Sequence, residues 1–140
     1  MTHRTRGGLA LLTAAAISVA ACGGSSNTSA SKPSFCSSLT TLETSVKALP
    51  TTDVVKNGTS ALKTAADTVV KDAKQVVDSA KHDFPNETAA ISSSVDALQT
   101  TVTQIQNGAT PALVAQAVGN AASVTTAVKN FSSSTSSKCE

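Results

Sequence analysis

Apolar side chains recur between residues 35 and 131, mostly in steps of three or four, which is the spacing of one face of an α-helix. Residues that interrupt helices divide this pattern into four stripes. The stripes are Phe35, Leu39, Leu42, Val46 and Leu49; Val55, Leu62, Ala66, Val69, Ala73, Val76 and Ala80; Ile91, Val95, Leu98, Val102 and Ile105; and Leu113, Ala117, Ala121, Val124, Val128 and Phe131. The pattern therefore predicts four amphipathic helices and an all-α fold.

Proline and glycine residues mark the boundaries of the predicted helices. Pro50 blocks the first helix, and Pro85 ends the second because the residue before a proline is displaced from helical angles. Asn107-Gly108 stops the third helix. Thr110 then offers an N-cap side chain, and Pro111 suits the first position of the fourth helix.

Other local signals are less specific. Thr51 to Asp53 offer side-chain oxygens to cap the second helix, and Asn86 or Thr88 could cap the third. Asn57-Gly58 is the weak point of the second helix, where we expect a kink or a short separate first turn. After the fourth stripe, Ser132 to Ser137 reads as a polar tail.

The N-terminal segment has the organisation of an export signal. Thr2 to Arg6 is basic, and Leu9 to Ala21 forms an apolar run that is too short to span a bilayer as a stable helix. The run Val19-Ala20-Ala21-Cys22 resembles the bacterial lipobox. This resemblance implies that residues 1–21 are a signal peptide, cleaved between Ala21 and Cys22, and that Cys22 carries a diacylglycerol thioether. The alternative is an ordinary secreted protein in which Cys22 is a free or paired thiol.

The lipobox resemblance also implies a location. Two acyl chains on Cys22 would hold the protein stably on the extracytoplasmic face of the cell membrane. Residues 22–34 would be the lipidated cysteine and a flexible tether, because Gly23 to Pro33 is polar throughout. A coil of about 11 residues has an r.m.s. span of about 18 Å. The folded domain would therefore lie close to the membrane surface.

The remaining cysteines predict a disulfide. If Cys22 is acylated, only Cys36 and Cys139 are left, and an exported chain enters an oxidising compartment. The alternative is that both remain thiols. In an up-down-up-down bundle with short connections, the start of the first helix and the end of the fourth lie at the same pole. We therefore expect residues 35–140 to form an antiparallel four-helix bundle closed by this bridge.

Composition affects both the predicted core and the partners. The chain has three phenylalanines and no tyrosine or tryptophan, so the core must consist of small aliphatic side chains and gains from the disulfide. Both arginines, Arg4 and Arg6, lie in the predicted signal peptide, which leaves nine lysines against nine acids. A neutral domain without arginine is not expected to bind nucleic acid.

No catalytic, metal or cofactor site is predicted. His82 is the only histidine after the signal, and its position in the last turn before Pro85 is typical of an interaction with a helix C-terminus. Asp67, Asp72 and Asp78 alternate with lysines in the pattern of a solvated helix face. The serine triplets have no neighbouring base, and the Asn-X-Thr matches at Asn57 and Asn86 are interpreted as accidental in a bacterial chain.

After the signal, the chain resembles the small exported helical proteins of high-GC Gram-positive bacteria, which have a cysteine near each end. The resemblance rests on the FCSSL start, on Val95-Asp96-Ala97-Leu98 and on the terminal Cys139. We expect a non-enzymatic envelope lipoprotein whose bundle binds or spaces other surface components. Its partners would be the membrane, through the lipidated N-terminus, and an unknown envelope protein. The alternative is a carrier that holds a lipid or other apolar ligand between its helices.

Overall fold

A computed structural model describes residues 31–50 and 54–140, and within these ranges the side chains of all but residues 54–57. The predicted signal peptide, its cleavage site, the lipidation site Cys22 and the proposed capping residues Thr51 to Asp53 lie outside the described residues. Residues Ser31–Glu140 form a compact unit.

The described chain folds into four helices: α1 (Ser34–Lys47), α2 (Val54–Ala80), α3 (Pro85–Asn107) and α4 (Pro111–Cys139). Each helix packs against the next one in sequence, and α1 packs against α4, which closes the bundle. The connections between helices are short, so that successive helices run antiparallel. The prediction of an all-α four-helix bundle is confirmed.

The predicted apolar stripes form the core. Every stripe residue with a described side chain is buried except Leu113, which is half-buried against the same cluster. The largest fully buried aliphatic side chains come from all four helices: Leu42, Val69, Val76, Ile91, Leu98, Ile105 and Val124. A helix of mixed Thr, Ser and Val composition has low intrinsic stability, so this shared burial is what stabilises each helix.

The two proline-led helices begin in different ways. In α4, the amide of Leu113 donates a hydrogen bond of 3.2 Å to the hydroxyl of Thr110, which confirms the predicted cap. The predicted caps of α3 at Asn86 or Thr88 are wrong, because α3 already begins at Pro85. Proline fixes a helical φ angle and has no amide hydrogen that needs a cap. Thr88 is buried, and its hydroxyl donates to the carbonyl of Phe84 at 2.7 Å.

Gly58 interrupts α2 near its start, with φ 78° and ψ 161°. This backbone conformation is accessible almost exclusively to glycine, since a Cβ atom would clash with the neighbouring backbone. The interruption expected at Asn57-Gly58 is therefore present. It separates a short first turn from the long straight part of α2.

The prediction that Ser132 to Ser137 is a polar tail is wrong, because α4 continues to Cys139. Thr135 is fully buried, and its hydroxyl donates to the carbonyl of Phe131 at 2.9 Å. Many exposed Thr and Ser side chains use the same bond, as when Thr44 donates to the carbonyl of Thr40. A hydroxyl that bonds within its own helix can cover the core without leaving a polar group unsatisfied.

The helices differ in length, which divides the bundle into two halves. At 1.5 Å per residue, α1 extends about 21 Å and α4 about 43 Å. The last turn of α1 lies beside the middle of α4, where Val46 lines a groove with Ala121 and Thr125. The half of α4 that begins at Pro111 therefore extends beyond the end of α1.

Candidate functional site at the disulfide pole

The chain brings its two described cysteines together at one pole of the bundle. Cys36, in the first turn of α1, and Cys139, the last residue of α4, form a disulfide with a Cα–Cα distance of 5.6 Å. That distance lies in the usual range for disulfides. The pairing predicted from the sequence is therefore present, and the even number of antiparallel helices is the reason that the two residues meet.

All three phenylalanines of the chain gather beside this disulfide. The ring centroids of Phe35, Phe84 and Phe131 are 5.5 to 5.9 Å apart, and each pair is arranged edge to face. Edge-to-face pairs are favourable because the positive edge of one ring meets the negative face of the next. Sequence analysis missed this cluster. The sequence contained the signal for it. Phe35 begins the first stripe, Phe131 ends the fourth, and Phe84 lies between the second and the third; an antiparallel four-helix arrangement places these three points near one pole.

A lysine extends the aromatic cluster to the surface. The ammonium nitrogen of Lys138 lies 5.1 Å from the centroid of the Phe84 ring, a geometry in which the cation is attracted to the ring face. Phe84 is half-buried, so its ring connects the buried pair Phe35 and Phe131 to solvent. The last turn of α4 is thus held by two neighbouring residues, Cys139 through the disulfide and Lys138 through its contact with Phe84.

The segment that precedes α1 also reaches this pole. Lys32, Pro33 and Ser34 line an open groove of about 300 Å³ together with the two bridged cysteines. The tether predicted for residues 22–34 would therefore join the bundle beside the disulfide. Tension on that segment would be passed through Cys36 to the last helix as well as to the first.

His82 lies at the same pole but not in the helix. The sequence placed it in the last turn of α2, whereas α2 ends at Ala80 and His82 is exposed in the turn that follows. Within the described part of the chain, no group of three or more His, Cys, Asp or Glu side chains is arranged to hold a metal ion.

The three aspartates of α2 do not share one environment. Asp67 and Asp78 are exposed and pair with Lys63 and Lys81 of the same helix, as the solvated-face pattern predicts. For Asp72 that prediction is wrong, because only 6% of the residue is exposed. Asp72 follows the stripe residue Val69 by three positions, so it lies next to the stripe, on the side of α2 that faces α1. There its carboxylate accepts a hydrogen bond from the hydroxyl of Ser45.

The pair of half-buried Ser45 and buried Asp72 leads to a test of how α1 is held against α2. We expect Ser45→Ala to lower the free energy of unfolding by about 1 to 3 kcal/mol, because a buried acceptor then loses its partner. Urea unfolding of the purified domain measures this. Asp67→Ala, on the exposed face, is the matched control and should change stability by less than about 0.5 kcal/mol.

The double variant Ser45→Ala/Asp72→Ala makes the test specific. Removing both polar partners removes the unsatisfied acceptor, so the double variant is expected to be more stable than Ser45→Ala alone. A Ser45→Ala protein as stable as the wild type would show that Asp72 does not depend on this hydrogen bond.

The small residues of the stripes lie inside the bundle. Ala66, Ala73, Ala117 and Ala121 are each at most 4% exposed, so they allow close helix packing. The grooves lie at the surface instead. One between α2 and α3 has a volume of about 360 Å³, an apolar floor that includes Val70 and Val77, and a charged rim of Lys74, Asp78 and Asp96.

Comparisons of the chain with protein-family models, with curated proteins and with solved structures found no match. None of the helices described by the structure is long and apolar enough to cross a membrane.

Proposed function

We propose that this protein is a lipid-anchored envelope lipoprotein whose helical bundle binds or spaces other surface components without catalysing a reaction. The observation that carries the proposal is the position of the disulfide. Cys36 follows the predicted tether by only a few residues and is covalently joined to the last helix. A domain attached in this way has its first and last helices joined near the attachment point. A force on the tether therefore acts on both helices and does not separate α1 from the bundle.

The dimensions of the bundle suit a spacer. With a tether of about 18 Å and a longest helix of about 43 Å, the end of α4 at Pro111 would lie several tens of ångströms from the anchored cysteine. The disulfide pole would face the membrane and the α3–α4 turn would face outward. Surface components that contact the outward end would be kept at this distance.

The polar groups of the bundle are used for its own structure. Hydroxyls on all four helices donate to carbonyls one turn earlier, for example those of Thr40, Thr64, Ser94 and Thr126. Asp72 is occupied by Ser45, and Lys63 pairs with Asp67. These particular groups are therefore bonded within the domain.

The anchor is tested by metabolic labelling with an alkyne fatty acid in a bacterial host that processes lipoproteins. We expect the full-length chain to be labelled and to sediment with membranes. Cys22→Ala should be unlabelled and released, with an unchanged melting temperature, because Cys22 belongs to the predicted tether and not to the predicted bundle domain.

The matched control for this experiment is Cys36→Ser/Cys139→Ser, which should keep the label and thereby locate the acyl chains at Cys22. Labelling of Cys22→Ala, or a wild-type chain that is neither labelled nor membrane-bound, would contradict the proposal.

A carrier of a lipid or other apolar ligand is the second candidate function. The groove between α2 and α3, at about 360 Å³, has the volume of a small ligand site and an apolar floor. The carrier is the second candidate because this groove is open to solvent and would cover only one side of a ligand. Native mass spectrometry after gentle extraction tests it: a ligand-bound mass lost in Val77→Asp supports a carrier, and only the empty mass contradicts one.

A further inference from the structure

Among the described residues, one face of α4 is left open where α1 ends. A groove of about 380 Å³ runs from Val46, near the end of α1, along Val118, Ala122 and Thr125 of α4. Val118 is 37% exposed and is the only large hydrophobic side chain classed as exposed among the residues whose burial is described. The groove therefore continues the line of α1 over a surface that α1 is too short to cover.

This face belongs to an unusually long uncharged segment. From Ala97 to Val128, 32 consecutive residues contain no Asp, Glu, Lys, Arg or His. At the average frequency of the chain, a segment of this length would carry about four or five charged side chains. Asp96 and Lys129 delimit the segment, which spans the second half of α3, the turn and the first half of α4. The outward half of this hairpin is electrically neutral.

Gly119 lies in the interior of α4 next to Val118, and it is exposed. A Cβ atom at this position would meet no other atom within 4 Å, so packing within one copy does not require glycine. Glycine weakens a helix interior relative to alanine. Its use here is explained if the backbone of another helix approaches this position closely.

The shape of the face complements itself. Ala115, Val118, Gly119 and Ala122 are spaced as i, i+3, i+4 and i+7, which is the arrangement of four residues that form a hole for a side chain of a facing helix. Three of the four are small, and the fourth, Val118, projects as a knob. Two copies of this face can therefore exchange knobs and holes across a two-fold axis.

We propose that this face of α4 binds the same face of a second copy of the chain and forms a two-fold symmetric dimer. In a two-fold contact, residues close to the axis meet their own copies, so a single charge placed there would repel itself. The segment from Ala97 to Val128 carries no charge, so two copies of it do not repel each other. A charged partner would instead be recognised by residues of opposite charge, which this segment lacks. The proposed anchor would raise the local concentration of copies and align them, but the contact itself does not depend on it.

Sedimentation equilibrium of the secreted Cys22→Ser chain, over a micromolar to millimolar concentration series, tests the proposal without the membrane. We expect the wild-type surface to give a monomer–dimer equilibrium. Val118→Lys should remain monomeric and folded, because Val118 is not in the core and the substitution places two like charges across the axis. Gln104→Lys, which adds the same charge to the exposed surface of α3, is the matched control and should dimerise as the wild type does.

Gly119→Ala separates association from folding. We expect it to raise the melting temperature of the monomer, since alanine favours the helix, and to weaken the dimer at least tenfold, since the added methyl groups separate the two backbones. If Gly119 has no role in association, the substitution will raise the melting temperature without weakening the dimer. A chain that stays monomeric to millimolar concentration, or a Val118→Lys variant that dimerises as strongly as the wild type, would overturn the proposal.

Discussion

Reduction of the Cys36–Cys139 disulfide is expected to lower the melting temperature of the bundle by roughly 10 to 20 °C. The bridge joins residues 103 positions apart, so it closes nearly the whole described chain into one loop. In the chain-entropy model, a loop of about 100 residues contributes up to about 4.7 kcal/mol. Small domains typically have a total stability of only about 5 to 15 kcal/mol. We therefore expect the bridge to supply a large fraction of the stability of this domain.

The measurement is thermal unfolding followed by circular dichroism, with and without reductant. Cys36→Ser and Cys139→Ser should each reproduce the loss seen on reduction, and the double variant should not respond to reductant at all. At low temperature, reduction should change the circular-dichroism signal of the helices only slightly even though the melting temperature falls, because the buried stripes still direct packing. An unchanged melting temperature after complete reduction would show that the bridge does not stabilise the native state.

Phe131→Ala is expected to lower the free energy of unfolding by about 3 to 5 kcal/mol. Phe131 is fully buried, and its ring centroid lies 5.9 Å from that of Phe35 and 5.5 Å from that of Phe84. Its truncation leaves a cavity beside the rings of Phe35 and Phe84, which are held in place by their own backbone segments and cannot fill it. It also removes two of the three aromatic pairs, each of which contributes about 0.5 to 1.5 kcal/mol beyond burial.

Two variants separate these contributions. Phe131→Leu keeps most of the buried volume but loses the aromatic pairs, so it should cost less than Phe131→Ala. Phe84→Ala removes a half-buried ring that meets Phe35 and Phe131, and it should also cost less, because less apolar surface returns to water. Urea unfolding measures all three. A Phe131→Ala variant within about 1 kcal/mol of the wild type would show that the cluster is not a main source of stability.

The predictions that succeeded depend on local properties of the chain. The period of the apolar stripes fixes which face of each helix is buried, so Leu42, Leu98 and Val124 could be placed in the core before their neighbours were known. Thr110 and Pro111 start α4 through bonds within one turn, and Gly58 breaks α2 because of its own backbone. The disulfide followed from the cysteine count together with the parity of the helices.

Two of the predictions that failed concern residues whose environment another helix decides. Asp72 resembles its exposed neighbours Asp67 and Asp78 in sequence, and only the position of Ser45 on α1 gives it a hydrogen-bond partner on another helix. Likewise, Ser132 to Ser137 has the composition of a tail. It is helical in the structure, where Thr135 is buried in the bundle and Cys139 is bonded to α1.

The number of helices, their buried faces and the pairing of Cys36 with Cys139 could thus be predicted from the sequence, because periodicity, chain breaks and the cysteine count can be read directly from it. The packed bundle was needed to show the three phenylalanines around the disulfide, the Ser45–Asp72 pair and the half of α4 that α1 leaves uncovered. These features depend on the relative lengths and rotations of packed helices. A stripe pattern specifies which face of a helix is buried but not which residue of another helix it meets.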